Sequence, residues 1–372
     1  MIAFQDLPIY TSMDAFLPLQ KTFVMDSITQ IVLGGAIGEL VAGKKLGNKA
    51  ILWGAVAGTI PDLDVFLRVF YHPIDAALVH RGFSHSLLFA LLMGPILGYL
   101  FNLLTKRVHG FWMWTHLFFW GILTHPLLDM FTNYGTQFFW PLSYRITFNS
   151  VFVVDPFYTL PFLVCLVAAM FYQRDDVRRR KWNRFGLLYS TSYLMLGLAI
   201  KGFVFFSSKR EVQEAGHKPS RMMVTPMPFT PFYWYILAEK ESSFVVGYRS
   251  LFRSRMDTPK TLIPKGDYRI DSLHWKGSSF NPQLQQITDG YVLFEETEKG
   301  LLCYDLRFGL LTKFTNGKIN RPLMGYVLTL KKGEIVDAHP LGRTQDWEKV
   351  AFSSYWREVV GANRIGVQSL KK

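Results

Sequence analysis

The sequence predicts a polytopic α-helical membrane domain of about six apolar helices, four to six of them spanning, followed by a small, mostly β extra-membrane domain. Three observations carry this prediction. Apolar residues make up 49% of the 372 residues and mean hydropathy is +0.14, yet the long uncharged runs are confined almost entirely to residues 28–206. Residues 207–372 mix charged and turn-forming residues at the density of a soluble protein. The basic residues of the apolar half also alternate from loop to loop, as loops that fix membrane topology do.

The chain opens with "MIAFQDLPIYTSMDAFLPLQKTFV". This stretch lacks the basic start, continuous apolar core and small-residue cleavage site of a signal peptide. "MDSITQ" follows at Met25. Met25 is therefore expected to be the natural start, and residues 1–24 a non-native or disordered extension. The membrane-embedded domain is expected to run over 25–206 and the β-rich domain over 207–372.

Six apolar segments lie at about 28–43, 50–69, 85–104, 111–131, 156–172 and 185–206. A spanning helix needs ~20 apolar residues to cross ~30 Å of hydrocarbon. The third, fourth and sixth segments meet that length. The second meets it if its end, with Asp62 and Asp64, reaches the interface. The fifth is short and carries Pro156 and Pro161, which predicts a kink. The first holds Glu39 and reads as a half-helix or a surface helix.

Lys44, Lys45, Lys49, Lys106, Arg107, Arg174, Arg178, Arg179, Arg180, Lys181 and Arg184 fill one set of loops. The alternate set holds only Arg68, Arg81 and Arg145. Eleven against three places the first set in the cytoplasm and the C-terminal domain outside it. The net charge of +13, from 41 basic and 28 acidic residues, is accounted for by such loops, and no nucleic-acid partner is expected. Cys165 and Cys303 are far apart and suggest neither a disulfide nor a metal cluster. Downstream, the turn-rich "KPSRMMVTPMPFTPF" precedes four strand-like runs, "YWYILAE", "SFVVGYRSL", "YVLFEET" and "LLCYDLRFG". They are short, partly alternating and bounded by turn residues. A terminal helix is expected around Trp347 to Val360.

The informative residues are polar groups in apolar company. "GTIPDLDVF" places Asp62 and Asp64 at the outer end of the second segment. "HRGFSHS" places His80 and His85 at the outer start of the third, with Ser84 as its expected N-cap. "THPLLD" sets His125 and Asp129 four apart, on one helix face near the outer end of the fourth. Asp155 opens the fifth. All seven fall on one side of the membrane, although the charge rule did not use them. Imidazole and carboxylate are the ligands of zinc and of other first-row divalent ions. Such groups at membrane depth are costly and face an interior or a cavity. Taken singly, each could also be an ordinary helix-end cap; His72 is best read as an exposed loop residue before Pro73, and His109 and His116 belong to the inner loop and the inner half.

The motifs "MDSITQIVLGGAIGE", "GTIPDLDVF", "HRGFSHSLLFALL" and "THPLLDMFTNYGTQFFWPLS" resemble, in order, those of the YdjM/YbcI/YfhP-type inner-membrane proteins, over about residues 25–160. "TPMPFTPFYWYILAE" resembles the extra-membrane tail of the YfhP-type branch. The resemblance implies an inner-membrane, multi-pass metal-dependent hydrolase. Its implied metal ligands are Asp62, His80, His85, His125 and Asp129, with Asp64 as a further candidate. The His/Asp helix pattern is similar to that of zinc-dependent phospholipase C enzymes at the level of fold analogy alone. Many relatives carry a Thr-His pair where this chain has Thr29-Gln30; glutamine is a poorer ligand, so one metal rather than two is expected.

The expected cofactor is a divalent metal, zinc first, manganese or iron as alternatives. The expected chemistry is metal-assisted hydrolysis. An unligated carboxylate, Asp64 or Asp155, is expected as general base. Arg81 could pair with a phosphate or sit in the headgroup zone; both readings stay open. The expected partner is the membrane lipid bilayer, with a lipid-like phosphoester as substrate. The alternative is a non-enzymatic transport, regulatory or structural protein whose metal staples the bundle.

Overall fold

The computed structural model describes residues 16–70, 79–265, 274–275, 285–297, 300–310, 322–331, 334–341 and 352–362. Its helical part contains α1 (Phe16–Leu46), α2 (Asn48–Thr59), a 3-10 segment (Pro61–Phe70), a 3-10 turn (Phe83–His85), α3 (Leu87–Leu104), α4 (Phe111–Asp129), α5 (Pro156–Met170) and α6 (Val177–Glu214). Of the N-terminal extension, residues 1–15 lie outside the described residues, and 16–24 form the first turns of α1. His72 also lies outside them.

The six apolar segments become helices, but six spans are not supported. Among the described helices, α3 and α6 are long and apolar enough to cross a membrane. α2 has 12 residues and α5 has 15, both short of the ~20 a span requires. α4 has the length, but His116, Thr124, His125 and Asp129 dilute its apolar character, and most of it is buried. The second segment breaks because Pro61 has no N–H to continue the α2 ladder. Glu39 is neither at a surface nor at a half-helix end. It is buried, and Arg179 Nε donates to its Oε1 at 2.7 Å.

α1 and α2 form a tight antiparallel hairpin turned by Gly47, at φ +59°. Gly34, Gly38, Gly54 and Gly58 line the seam. A Cβ on Gly58 would sit 2.8 Å from Gln30 O, and one on Gly38 would meet the Gly54 Cα at 2.8 Å. Backbone therefore touches backbone, the small-residue packing of membrane helices. This contact sets Gln30 beside Gly58. α3 lies on α4 by the same device: a Cβ on Gly94 would be 2.8 Å from that of Phe119. The basic loops gather at one end, where Asn48 Nδ2 donates to Met170 O at 3.3 Å.

α6 does not stop near Ser207. Its 38 residues at ~1.5 Å each come to about 57 Å, well beyond one bilayer core, so the apolar-to-charged boundary falls inside a continuous helix. Val204 and Val212 of α6 pack with Val224, Trp234, Ile236, Ala238, Val245 and Met256 of the β part. That part has a four-stranded antiparallel sheet, β1 (Arg221–Pro226), β2 (Tyr233–Glu239), β3 (Ser243–Ser250) and β4 (Asp257–Pro264), in that order. A second sheet follows the order β5-β9-β8-β7-β6: β5 (His274–Trp275), β6 (Val292–Thr297), β7 (Gly300–Leu310), β8 (Pro322–Lys331) and β9 (Glu334–Pro340).

The four expected strands are β2, β3, β6 and β7. β1 sits inside the stretch read as turn-rich; Met222 to Thr225 pair with Tyr235 to Ala238 despite the flanking prolines. The terminal helix is α7 (Phe352–Val359), and residues 347–351 lie outside the described residues. The β part rests on the end of the helical part that carries the polar motifs: Thr225 Oγ1 donates to Asn133 Oδ1 at 2.6 Å, and the Tyr134 and Phe308 rings lie 4.8 Å apart.

Candidate metal centre

Four chain segments converge at that end: the last turn of α4, the start of the Pro61–Phe70 segment, the Phe83–His85 turn and α1 at Gln30. Asp62, His85 and His125, all buried, bring one ligand atom each to within 4.8 Å of one another. The spacings are tighter still. His125 Nε2 lies 3.1 Å from His85 Nε2 and 3.3 Å from Asp62 Oδ1, and His85 Nε2 lies 3.4 Å from that oxygen. Bonds of ~2.0–2.1 Å to a tetrahedral ion put neighbouring donor atoms about 3.3 Å apart.

The outer nitrogens determine what these inner atoms are. His125 Nδ1 donates to Gly58 O at 2.6 Å, because a carbonyl oxygen only accepts. Ser84 Oγ donates to Asp64 Oδ2 at 2.5 Å, so at 3.0 Å its lone pair faces the Nδ1–H of His85. Both imidazoles thus carry a proton on Nδ1 and direct Nε2 inward. Two Nε2 atoms and a carboxylate oxygen then confront one another in a dry site, where a proton or a cation must lie between them. A metal ion can take the place of that proton, and the outer hydrogen bonds are those that orient metal-bound histidines. The donor set fits a divalent ion.

The other expected residues surround the triad. Asp129 is buried but stands beside it, its Oδ2 3.6 Å from His85 Nε2 and 3.7 Å from His125 Nε2. Gln30 Nε2 donates to Asp129 Oδ1 at 2.9 Å, and Arg81 Nη1 is 3.4 Å from Oδ2. Asp129 Oδ2 accepts no hydrogen bond among the described residues. Gln30 therefore gives this site a hydrogen bond.

His80 is not in the triad. Its Nδ1 donates to Asp64 Oδ1 at 2.7 Å, and its side chain is 18% exposed. Asp64 also accepts from Ser84 Oγ and from Arg81 N at 3.3 Å. Burial alone would raise the Asp64 carboxyl, but hydrogen bonds from His80 and His85 hold it low. Burial holds the His80 imidazole at about 4, against the pull of Asp64. Arg81 is buried, its backbone is at φ +67°, its Nη1 donates to Thr132 Oγ1 at 3.1 Å, and its guanidinium lies 5.0 Å from the Tyr134 ring centre. Left-handed backbone at a residue with a side chain is strain of the kind found at functional sites.

Asp155 stands apart from this group. It caps α5, its Oδ1 accepting from Phe157 N at 2.9 Å and its Oδ2 from Tyr193 Oη at 2.6 Å. Ser84 is not the α3 cap: Ser86 is, accepting from Phe89 N at 3.0 Å. The roles of Ser84 toward Asp64 and of Gly58 toward His125 were not legible in the sequence. The second serine of "FSHS" was the available signal for the first; a backbone carbonyl leaves none for the second.

A family model described as "YdjM inner membrane protein" matches residues 25–204, which include every candidate site residue. The protein YfhP of Bacillus subtilis (strain 168) is 25% identical over 236 residues, 60% of this chain and 68% of YfhP. Inner membrane protein YbcI of Escherichia coli (strain K12) is 30% identical over 143 residues, 36% of this chain and 82% of YbcI. No solved structure matches the chain.

Proposed function

The chain belongs to the YdjM inner membrane protein family, and on that premise we propose that it is a membrane-bound metal-dependent hydrolase acting on a lipid or lipid-linked phosphoester at the outer face of the membrane. The observation that carries this reading is the inward convergence of His85 Nε2, His125 Nε2 and Asp62 Oδ1. Three protein donors are the complement of a catalytic rather than a closed structural site. When bound, a divalent ion, zinc before manganese or iron, supplies Lewis acidity and lowers the pKa of a water.

The chain's own groups divide the remaining work. His80, neutral at neutral pH and held by Asp64, is the proton acceptor at the rim, which moves that role from Asp64 to its partner. Asp64 is a positioning residue, since its oxygens are already engaged by His80, Ser84 and Arg81 N. Arg81 balances the charge of Asp129, and phosphate would compete with Asp129 for it. Asp155 is left as a helix cap.

A structural ion that staples α4 to the 61–85 region is the second reading, favoured by the burial of all three triad residues. One experiment separates them. Metal-loaded wild type and His80→Ala are incubated with native lipid extract, and released headgroup and phosphate are measured. The hydrolase reading expects turnover by wild type and a loss of about 10²–10⁴-fold in His80→Ala with its metal retained. No release by fully loaded wild type across a broad lipid panel leaves the structural reading.

A further inference from the structure

The Pro61–Phe70 segment has two unlike sides. Asp62 and Asp64 point into the site and are buried, whereas Leu63, Phe66 and Phe70 face outward, Phe66 at 61% and Phe70 at 81% exposure. Asp64 ties this segment to the Phe83–His85 turn through Ser84. On that turn Phe83 is again exposed, and its ring meets that of Trp140 at 4.9 Å. Trp140 belongs to a loop whose Phe139, Leu142 and Tyr144 are exposed too, Leu142 at 64%. Leu87 N, at the first residue of α3, donates to Phe138 O at 2.9 Å. Exposed apolar side chains therefore lie on the 3-10 segment, on Phe83 and Trp140, whose rings touch, and on Leu88, Leu91 and Leu92 of α3, with the Phe83 ring also against Phe89 of that helix.

We propose that the outer faces of segment 61–70 and loop 139–144 form an apron seated in the lipid headgroup layer, so that the site is entered from the membrane and not from bulk water. Exposed apolar surface of this kind marks an interaction site. Its continuity with a helix long and apolar enough to span makes the occupant lipid rather than protein. Aromatic residues at the end of a span belong at that depth, and amphipathic segments lie with their apolar face ~5–10 Å into the boundary. The β part reaches the edge of this loop, where Gln286 Nε2 donates to Ser143 O, and meets the helical part beside it through Tyr134 and Phe308. His80, the rim group, then lies at headgroup level beside an acyl-chain surface. The ligand class that fits both is an amphiphile with a phosphate head and an apolar tail. The apron itself does not depend on the hydrolase reading; the identity of the ligand as a substrate rests on it.

The test is spin-label accessibility. Leu63, Phe66 and Leu142 are each changed to Cys in the full chain, with Cys165 and Cys303 changed to Ala, and labelled in vesicles of phosphatidylethanolamine and phosphatidylglycerol. Ile96→Cys on α3 is the lipid reference and Glu241→Cys in the β part the aqueous one. Only variants whose melting by circular dichroism matches the parent are scored. The expected result is collision with dissolved oxygen as at Ile96, and collision with an aqueous nickel chelate several-fold below that at Glu241. Nickel collision equal to that at Glu241 at all three positions overturns the apron, and does so even if lipid phosphoesters are turned over. Lipid-facing labels without turnover uphold the apron and remove the hydrolase reading instead.

Discussion

His85 and His125, 40 residues apart in the chain, point their Nε2 atoms at each other across 3.1 Å, each with its Nδ1 engaged from behind. Two species can lie between such atoms, a proton or a metal ion. Metal binding must therefore displace a proton, and affinity should rise with pH because the ligand nitrogens have to be deprotonated. Calorimetry with zinc in buffers of different ionisation enthalpy should register proton release. His85→Ala and His125→Ala should each lose the ion, and chelation should lower the melting temperature of wild type alone; at saturation a hundredfold above Kd the ion contributes about 2.7 kcal/mol. Equal melting of wild type with and without chelator would count against the centre.

Asp62 and Asp129 should respond differently to the same change. Asp62 Oδ1 is a corner of the triad, whereas Asp129 flanks it under the hold of Gln30 and Arg81. Asp62→Asn is expected to abolish tight binding. Asp129→Asn is expected to retain the ion with affinity weakened about 10–100-fold, the range for losing an outer partner. Metal titration of both variants decides it. The reverse order of losses would make Asp129 the ligand and Asp62 its support.

The sequence exposed the site more fully than it exposed the span count. His85, His125, Asp62 and Asp129 stood out because charge and imidazole are conspicuous in apolar runs, and one side of the bundle collected them all. The pairing of His80 with Asp64 was hidden, since the two stand 16 residues apart in the chain with no helical or strand periodicity that puts them together. Six spans were expected and are not supported, because a helix such as α4, buried over most of its length but exposed along Trp112, His116 and Trp120, reads in sequence as apolar as one facing lipid. β1 was missed because Pro226, Pro228 and Pro231 signal turns, while what holds the strand is its pairing with β2.

Asp155 is a cap in this structure, and its two simplest substitutions should separate a cap from a base. Burial pushes its carboxyl up, against hydrogen bonds from Tyr193 Oη and the Phe157 and Tyr158 amides. A carboxyl raised on folding favours the protonated form, so it contributes stability at low pH that fades as pH rises through the folded value. Asp155→Asn removes the desolvated charge and keeps an acceptor for Phe157 N; its stability at neutral pH should lie within ~0.5 kcal/mol of wild type. Asp155→Ala loses the cap and should cost about 1–2 kcal/mol. Both should hold the metal. Thermal and denaturant melts give the stabilities; a folded, metal-loaded Asp155→Asn without turnover would return Asp155 to the catalytic machinery.

The topology expected of the chain rests on two features that do not depend on each other. Lys44, Lys45, Arg178, Arg180 and Lys181 lie at the end of the bundle where Asn48 meets Met170, and such loops remain on the cytoplasmic side. The metal centre and the β part lie at the opposite end, joined by Thr225 to Asn133 and by Tyr134 to Phe308. Residues 174–184 should therefore be cytoplasmic, and the triad and residues 221–340 should lie outside. Paired reporters fused after Lys372, one active only in the cytoplasm and one only beyond the membrane, test this directly. Activity of the cytoplasmic reporter alone would invert the whole arrangement, since the contacts between β part and site hold the two on one side. The centre would then face the cytoplasmic leaflet, and its substrate would have to be sought there.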